Sequence, residues 1–103
     1  MAIIYHVTGL QDWETAQELG FYEAPSLLTE GFIHCSQEEQ VEGVLQRYFA
    51  GRSDLVKLVI DTDMLDVPLR YEEAPSIQQV FPHIYGRLNL AAVIAALPAR
   101  AEQ

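Results

Sequence analysis

An α+β fold with a mixed, largely antiparallel, split β-core is predicted for this chain of 103 residues. Three observations carry the prediction. Short runs of strand type recur along the whole length, clear helical periodicity is confined to the first half, and the second half lacks the regular helical crossovers that a parallel sheet needs. Two main helices and a short C-terminal helix complete the expected architecture, in a single domain spanning 1–103.

The elements follow in order. Residues 3–7 (Ile-Ile-Tyr-His-Val) form a first strand, with Ile4, His6 and Thr8 on one face. Leu10, Trp13, Ala16 or Gln17, and Leu19 recur at near-helical spacing before Gly20, which predicts an amphipathic helix over 10–19. Residues 21–30 contain Pro25, show no clear period and read as a loop. A strand over about 31–35 ends at Ser36, and Ser36 with Glu39 makes an S-x-x-E capping box. Val41, Val44, Leu45, Tyr48 and Phe49 then fall on one helical face, with Gly51 as the stop.

Residues 55–60 (Leu-Val-Lys-Leu-Val-Ile) are nearly continuously apolar, as in a central strand buried on both faces. A turn over Asp61 to Leu65 leads to an edge strand over 67–73, where Pro68 cannot donate to a ladder. Ile77 to Phe81 is a further strand, broken by Pro82 to Gly86. Asn89 is placed to cap a helix from Leu90 to Leu97 that Pro98 stops.

Composition limits the function. Half the residues are hydrophobic and 20% charged, as in ordinary globular proteins. With 15 acidic against 6 basic residues, the net charge of −9 repels phosphate backbones, and no Lys/Arg cluster offsets it. The expected partner is a small molecule, with no nucleic acid and no membrane; oligomeric state stays open. No apolar run reaches the roughly 18 residues of a bilayer span, and no secretory leader pattern is present. The single cysteine permits no intrachain disulfide, and a cytoplasmic location is expected.

The chemistry-bearing residues centre on Glu30-Gly31-Phe32-Ile33-His34-Cys35-Ser36. All three histidines lie beside tyrosine or cysteine at strands or their ends: Tyr5-His6, His34-Cys35 and His83-Ile84-Tyr85. They either converge on a pocket as hydrogen-bonding groups or each satisfy nearby backbone. No C-x-x-C or H-x-x-x-H spacing points to a metal, and none is expected. Cys35 at a helix start would be a nucleophile only with a base on its own face, whereas His34 points the other way. Of Glu72 and Glu73, one faces inward and can accept a ligand hydroxyl or stabilise a developing cation.

Tyr5-His6-Val7-Thr8, Glu30 to Ser36, and Phe81-Pro82-His83-Ile84-Tyr85-Gly86 followed by Leu88-Asn89 resemble the DUF952 family of small bacterial proteins over nearly the whole chain. That family is in turn distantly similar to the ADP-ribosyltransferase fold, whose split antiparallel core holds NAD in a cleft. The resemblance implies that His6, in a first-strand Y-H-G-T motif with Val7 where the motif has glycine, hydrogen-bonds the ribose beside the nicotinamide. It implies that the Gly31-to-Ser36 strand supplies a stacking group, at Ile33 or His34, and a serine at its end. It further implies that Glu72 stabilises an oxocarbenium-like transition state.

Three readings compete. In the first, an ADP-ribosyl transfer or NAD glycohydrolysis, His6, His34 and Glu72 are catalytic, and Thr8, Ser36, His83 and Tyr85 hold NAD. Arg70 or Arg87 would assist at the pyrophosphate. An RNA substrate, used by some members of the wider superfamily, is disfavoured by the acidic balance. The second reading is a non-catalytic small-ligand-binding module. The third is a hydrolase dependent on Cys35.

Overall fold

A computed structural model describes residues 2–101. Strand β1 (Ile3–Gly9) runs straight into helix α1 (Leu10–Leu19), which buries Trp13 and Ala16 and leaves its polar positions to solvent. Gly20 ends it at φ 92°, with its N–H bonded to the Ala16 carbonyl, the left-handed stop that glycine adopts without steric cost. The predicted helix and its terminator are both present.

The stretch 21–30 is more ordered than a loop. It forms β2 (Phe21–Tyr22) and a five-residue helix α2 (Pro25–Thr29), in which Pro25 occupies the first turn, where no N–H is required. Strand β3 is only Ile33–His34. A 3₁₀ turn (Glu38–Gln40) then leads into α3 (Val41–Tyr48). The capping box falls one residue later than predicted. Gln37 and Gln40 form it, with the Gln37 N–H donating to Gln40 Oε1 at 2.9 Å. Ser36 stays extended because its backbone exchanges two hydrogen bonds with Tyr5 of β1, at 2.7 and 2.8 Å.

Strand β4 (Leu55–Asp61) is central, as its continuous apolar run predicts. A 3₁₀ turn (Thr62–Met64) precedes β5 (Leu69–Ala74), an edge strand, which hairpins into β6 (Gln79–Ile84). Here the structure corrects the predicted break at Pro82, since β6 continues through it to Ile84. The Pro82 carbonyl accepts the Cys35 N–H at 3.0 Å, so its missing donor lies on the β3 side and the ladder to β5 is untouched.

The predicted C-terminal helix is also absent. After β7 (Leu88–Asn89) and a 3₁₀ turn (Leu90–Ala92), residues Val93–Ala99 form strand β8 along β4. Covering the outer edge of β4 outweighs the local helix signals, and an edge strand tolerates Pro98. Asn89 caps no helix: its side chain donates to the Met64 carbonyl at 2.9 Å and accepts from the Asp66 N–H at 3.3 Å.

Every strand pairing described is antiparallel, in sheets ordered β1-β4-β8, β2-β7 and β3-β6-β5. The main core between them contains the fully buried Ile4, Ile33, Leu58, Ile60, Ile84 and Leu88. A smaller cluster of Val7, Val41, Leu45 and Leu55 seats α3. Among the described residues no helix is long and apolar enough to cross a membrane.

Candidate functional site

Side chains alternate across a strand, so residues of one parity in β3, β6 and β5 share one sheet face. His34 is paired with His83, Arg70 with His83, and Glu72 with Phe81. This register gathers Phe32, His34 and Ser36 with Phe81, His83 and Tyr85, and with Arg70 and Glu72. The opposite face carries Ile33, Cys35 and Ile84 into the core.

The gathered face is a contact network. His83 stacks on Phe32 at 4.0 Å between ring centroids and 20° between planes, and meets the edge of His34 at 5.2 Å. Its Nδ1 lies 2.7 Å from Glu72 Oε1, which also accepts the Tyr85 hydroxyl at 2.6 Å. These two bonds, Tyr85's first, hold the Glu72 carboxyl below its ordinary pKa, while the same contact raises the Tyr85 phenol. Glu72 is therefore ionised at neutral pH, and its Oε2 accepts no hydrogen bond from a described residue. Arg70 stands 5.1 Å from the Tyr85 ring. Arg87, the other candidate, is remote from this face, bonded to Glu23 at 2.8 Å.

A cleft of about 480 Å³ opens where this face meets α3. His34, Ser36 and His83 line it together with apolar Val44, Phe49 and Phe81. His34 is exposed at the rim, its Nε2 bonded to Glu30 at 2.9 Å. Glu72 and Tyr85 stand behind His83 on the neighbouring strand and strand exit.

His6 touches the cleft wall but is committed to the protein. Its Nδ1 donates to the His34 carbonyl at 2.6 Å, which leaves Nε2 as acceptor for the Tyr22 hydroxyl at 2.8 Å. Tyr22 is in turn 3.0 Å from Thr8 Oγ1. Burial lowers the His6 pKa to about 4 and raises that of Tyr22 to about 12, so the chain is neutral at physiological pH. Thr8 is sealed behind it.

Cys35 is buried on the core side, and burial raises its thiol pKa well above the ordinary value, away from nucleophilic chemistry. Iodoacetamide at neutral pH is expected to leave it unmodified in the folded chain and to label it once urea unfolds the protein. Equal rates in both states would contradict this placement. Among the described residues no group of three or more His, Cys, Asp and Glu is arranged to hold a metal ion.

Sequence reading missed Phe32 and Tyr22. Phe32 stands two positions before His34, so alternation alone places it on the same face, where its ring stacks on His83. Tyr22 gave no signal, because its role depends on a contact with His6. Between the two glutamates, the register puts Glu72 on the His83 face and Glu73 on the other.

The architecture and site define a small antiparallel α+β protein with a histidine-lined cleft. The chain belongs to the DUF952 family, described as a protein of unknown function, whose model matches residues 7–96. It is similar to protein CC0527 from Caulobacter crescentus, whose X-ray structure matches with a TM-score of 0.85 at 28% identity, over 94% of this chain and 85% of that one. The solution NMR structure of CC0527 matches with a TM-score of 0.83 at 28% identity, over 99% and 88% of the two chains. No curated protein matches.

Proposed function

We propose that the chain binds a ribosylated small molecule, with NAD the first candidate, and acts at its glycosidic bond by ADP-ribosyl-type transfer or hydrolysis. One observation carries the reading. Glu72 is ionised, shares its face with Phe32, His34 and His83, and is anchored through one oxygen while the other accepts no hydrogen bond from a described residue. A carboxylate fixed in this way can accept a ribose hydroxyl and stabilise positive charge developing at the anomeric carbon. His83, backed by Phe32, lines the cleft where a heterocyclic leaving group would lie, and Ser36 and His34 offer hydrogen bonds there. The motif resemblance to ADP-ribosyltransferases, read from the sequence, would give Glu72 the same role.

Calorimetric titration with NAD and a nicotinamide-release assay over hours test the reading. Binding heat is expected, with release falling at least tenfold in Glu72→Gln. No heat and no release from the unaltered chain would overturn it. A second reading, a binding module without chemistry, is favoured by His6. The ring that the resemblance assigns to the ribose has both nitrogens engaged inside the protein.

A further inference from the structure

We infer that His83 is a proton-accepting anchor of the cleft, and that the part of a ligand entering there is apolar or aromatic, carries an O–H or N–H donor and bears no phosphate. The assignment starts from Glu72. An ionised carboxylate only accepts hydrogen bonds, so the 2.7 Å contact places a proton on His83 Nδ1. In the neutral ring the lone pair is then on Nε2, and among the described residues no hydrogen bond reaches that atom. Glu72 is itself held by the Tyr85 hydroxyl, Phe32 covers one face of the imidazole, and His34 meets it edge-on. The ring is thus fixed in orientation while forming part of the cleft wall.

The remaining wall decides the chemical class. Val44, Phe49, Ile77 and Phe81 are apolar, Glu30, Ser36 and Ser76 add acceptors at its margin, and among the described residues no lysine or arginine lines the cleft. The chain as a whole carries −9. A phosphate entering would surrender its hydration with no cation to receive it. An uncharged donor loses less water and gains a fixed acceptor within an apolar surround, the usual composition of a small-molecule site. The inference deepens the proposed function by naming what enters the cleft; it rests on that reading for the choice of site, and needs no glycosyl transfer.

Three small probes test it on the full chain labelled with 15N at histidine: phenol, anisole and phenyl phosphate. His83 is expected to show the Nδ1–H tautomer in its neutral form. Phenol should bind saturably and shift the Nε2 resonance. Anisole, which lacks the donor, should bind about tenfold more weakly, as loss of one hydrogen bond predicts. Phenyl phosphate should not compete. His83→Phe keeps a ring against Phe32 but should bind phenol and anisole equally. Glu72→Leu, which leaves no acceptor for the Nδ1–H, should lose the fixed tautomer and abolish the preference for phenol.

An Nε2–H tautomer in the unaltered chain, equal binding of phenol and anisole, no phenol binding, or competition by phenyl phosphate would each overturn the inference. Phenol preference without NAD turnover would sink glycosyl transfer alone. NAD turnover without that preference would sink the anchor alone.

Discussion

Lowering the pH from about 6.5 to about 4 is expected to remove roughly 3 kcal/mol of folding stability through His6 alone. The ordinary pKa of 6.5 is lowered to about 4 because burial penalises the charged ring, and the bond to the His34 carbonyl opposes this only in part. Above the unfolded pKa, neither state binds the proton, and the contribution is fully present. Between the two values the unfolded chain is protonated while the folded chain is not, so stability falls by about 1.4 kcal/mol per pH unit. Below the folded pKa both states carry the proton and the contribution is gone. Glu72 and Asp54, whose carboxyl pKa values are lowered by their partners, act in the same direction but at lower pH. Urea unfolding at steps between about pH 7 and pH 4 measures the profile. His6→Gln should flatten it over this window, and a flat profile in the unaltered chain would refute the assignment.

Leu58→Ala is expected to cost about 3–4 kcal/mol in the same unfolding experiment. Leu58 has no exposed surface and sits mid-way along the central strand β4, opposite His6 of β1 and Ala96 of β8. A strand paired on both sides cannot collapse into the space left by the lost atoms, so the cavity adds to the transfer loss. Ile94→Ala makes the contrast. That side chain is 53% exposed on edge strand β8, and its loss should stay within about 0.5 kcal/mol. Similar losses at the two positions would be incompatible with β4 as the centre of the sheet.

What the sequence revealed of the fold tracks how local the deciding interaction was. Helix α1 was legible because Trp13, Ala16 and Gly20 state its face and its end within eleven residues. The central strand was legible because burial on both faces removes alternation from Leu55 to Ile60. Strand β8 was not. Asn89 and Pro98 resemble a cap and a stop, and only the open edge of β4, more than thirty residues away, decides otherwise. The capping box slipped by one residue for the same kind of reason, since the Tyr5 backbone, rather than Ser36's own chemistry, keeps Ser36 extended. At the site, alternation was enough to put His34 and Cys35 on opposite faces. That Glu72 holds His83, and that Tyr22 spends the second nitrogen of His6, depends on cross-strand geometry that no spacing along the chain encodes.

Pro82 has a bearing on the dimensions of the cleft. With an N–H at this position, the β3 ladder would gain a donor for the Cys35 carbonyl and an incentive to continue toward Val80. Instead the Val80 carbonyl receives the Gln40 amide at 2.8 Å, and the same Gln40 side chain caps Gln37, so the helical segment begins just where the ladder fails. One further pair of strand residues would carry that start about 7 Å along. Val44 and Phe49, which line the cleft together with Phe81 and His83, would then be displaced relative to them. A single imino acid thus acts as a ruler, setting how far the roof reaches over the floor.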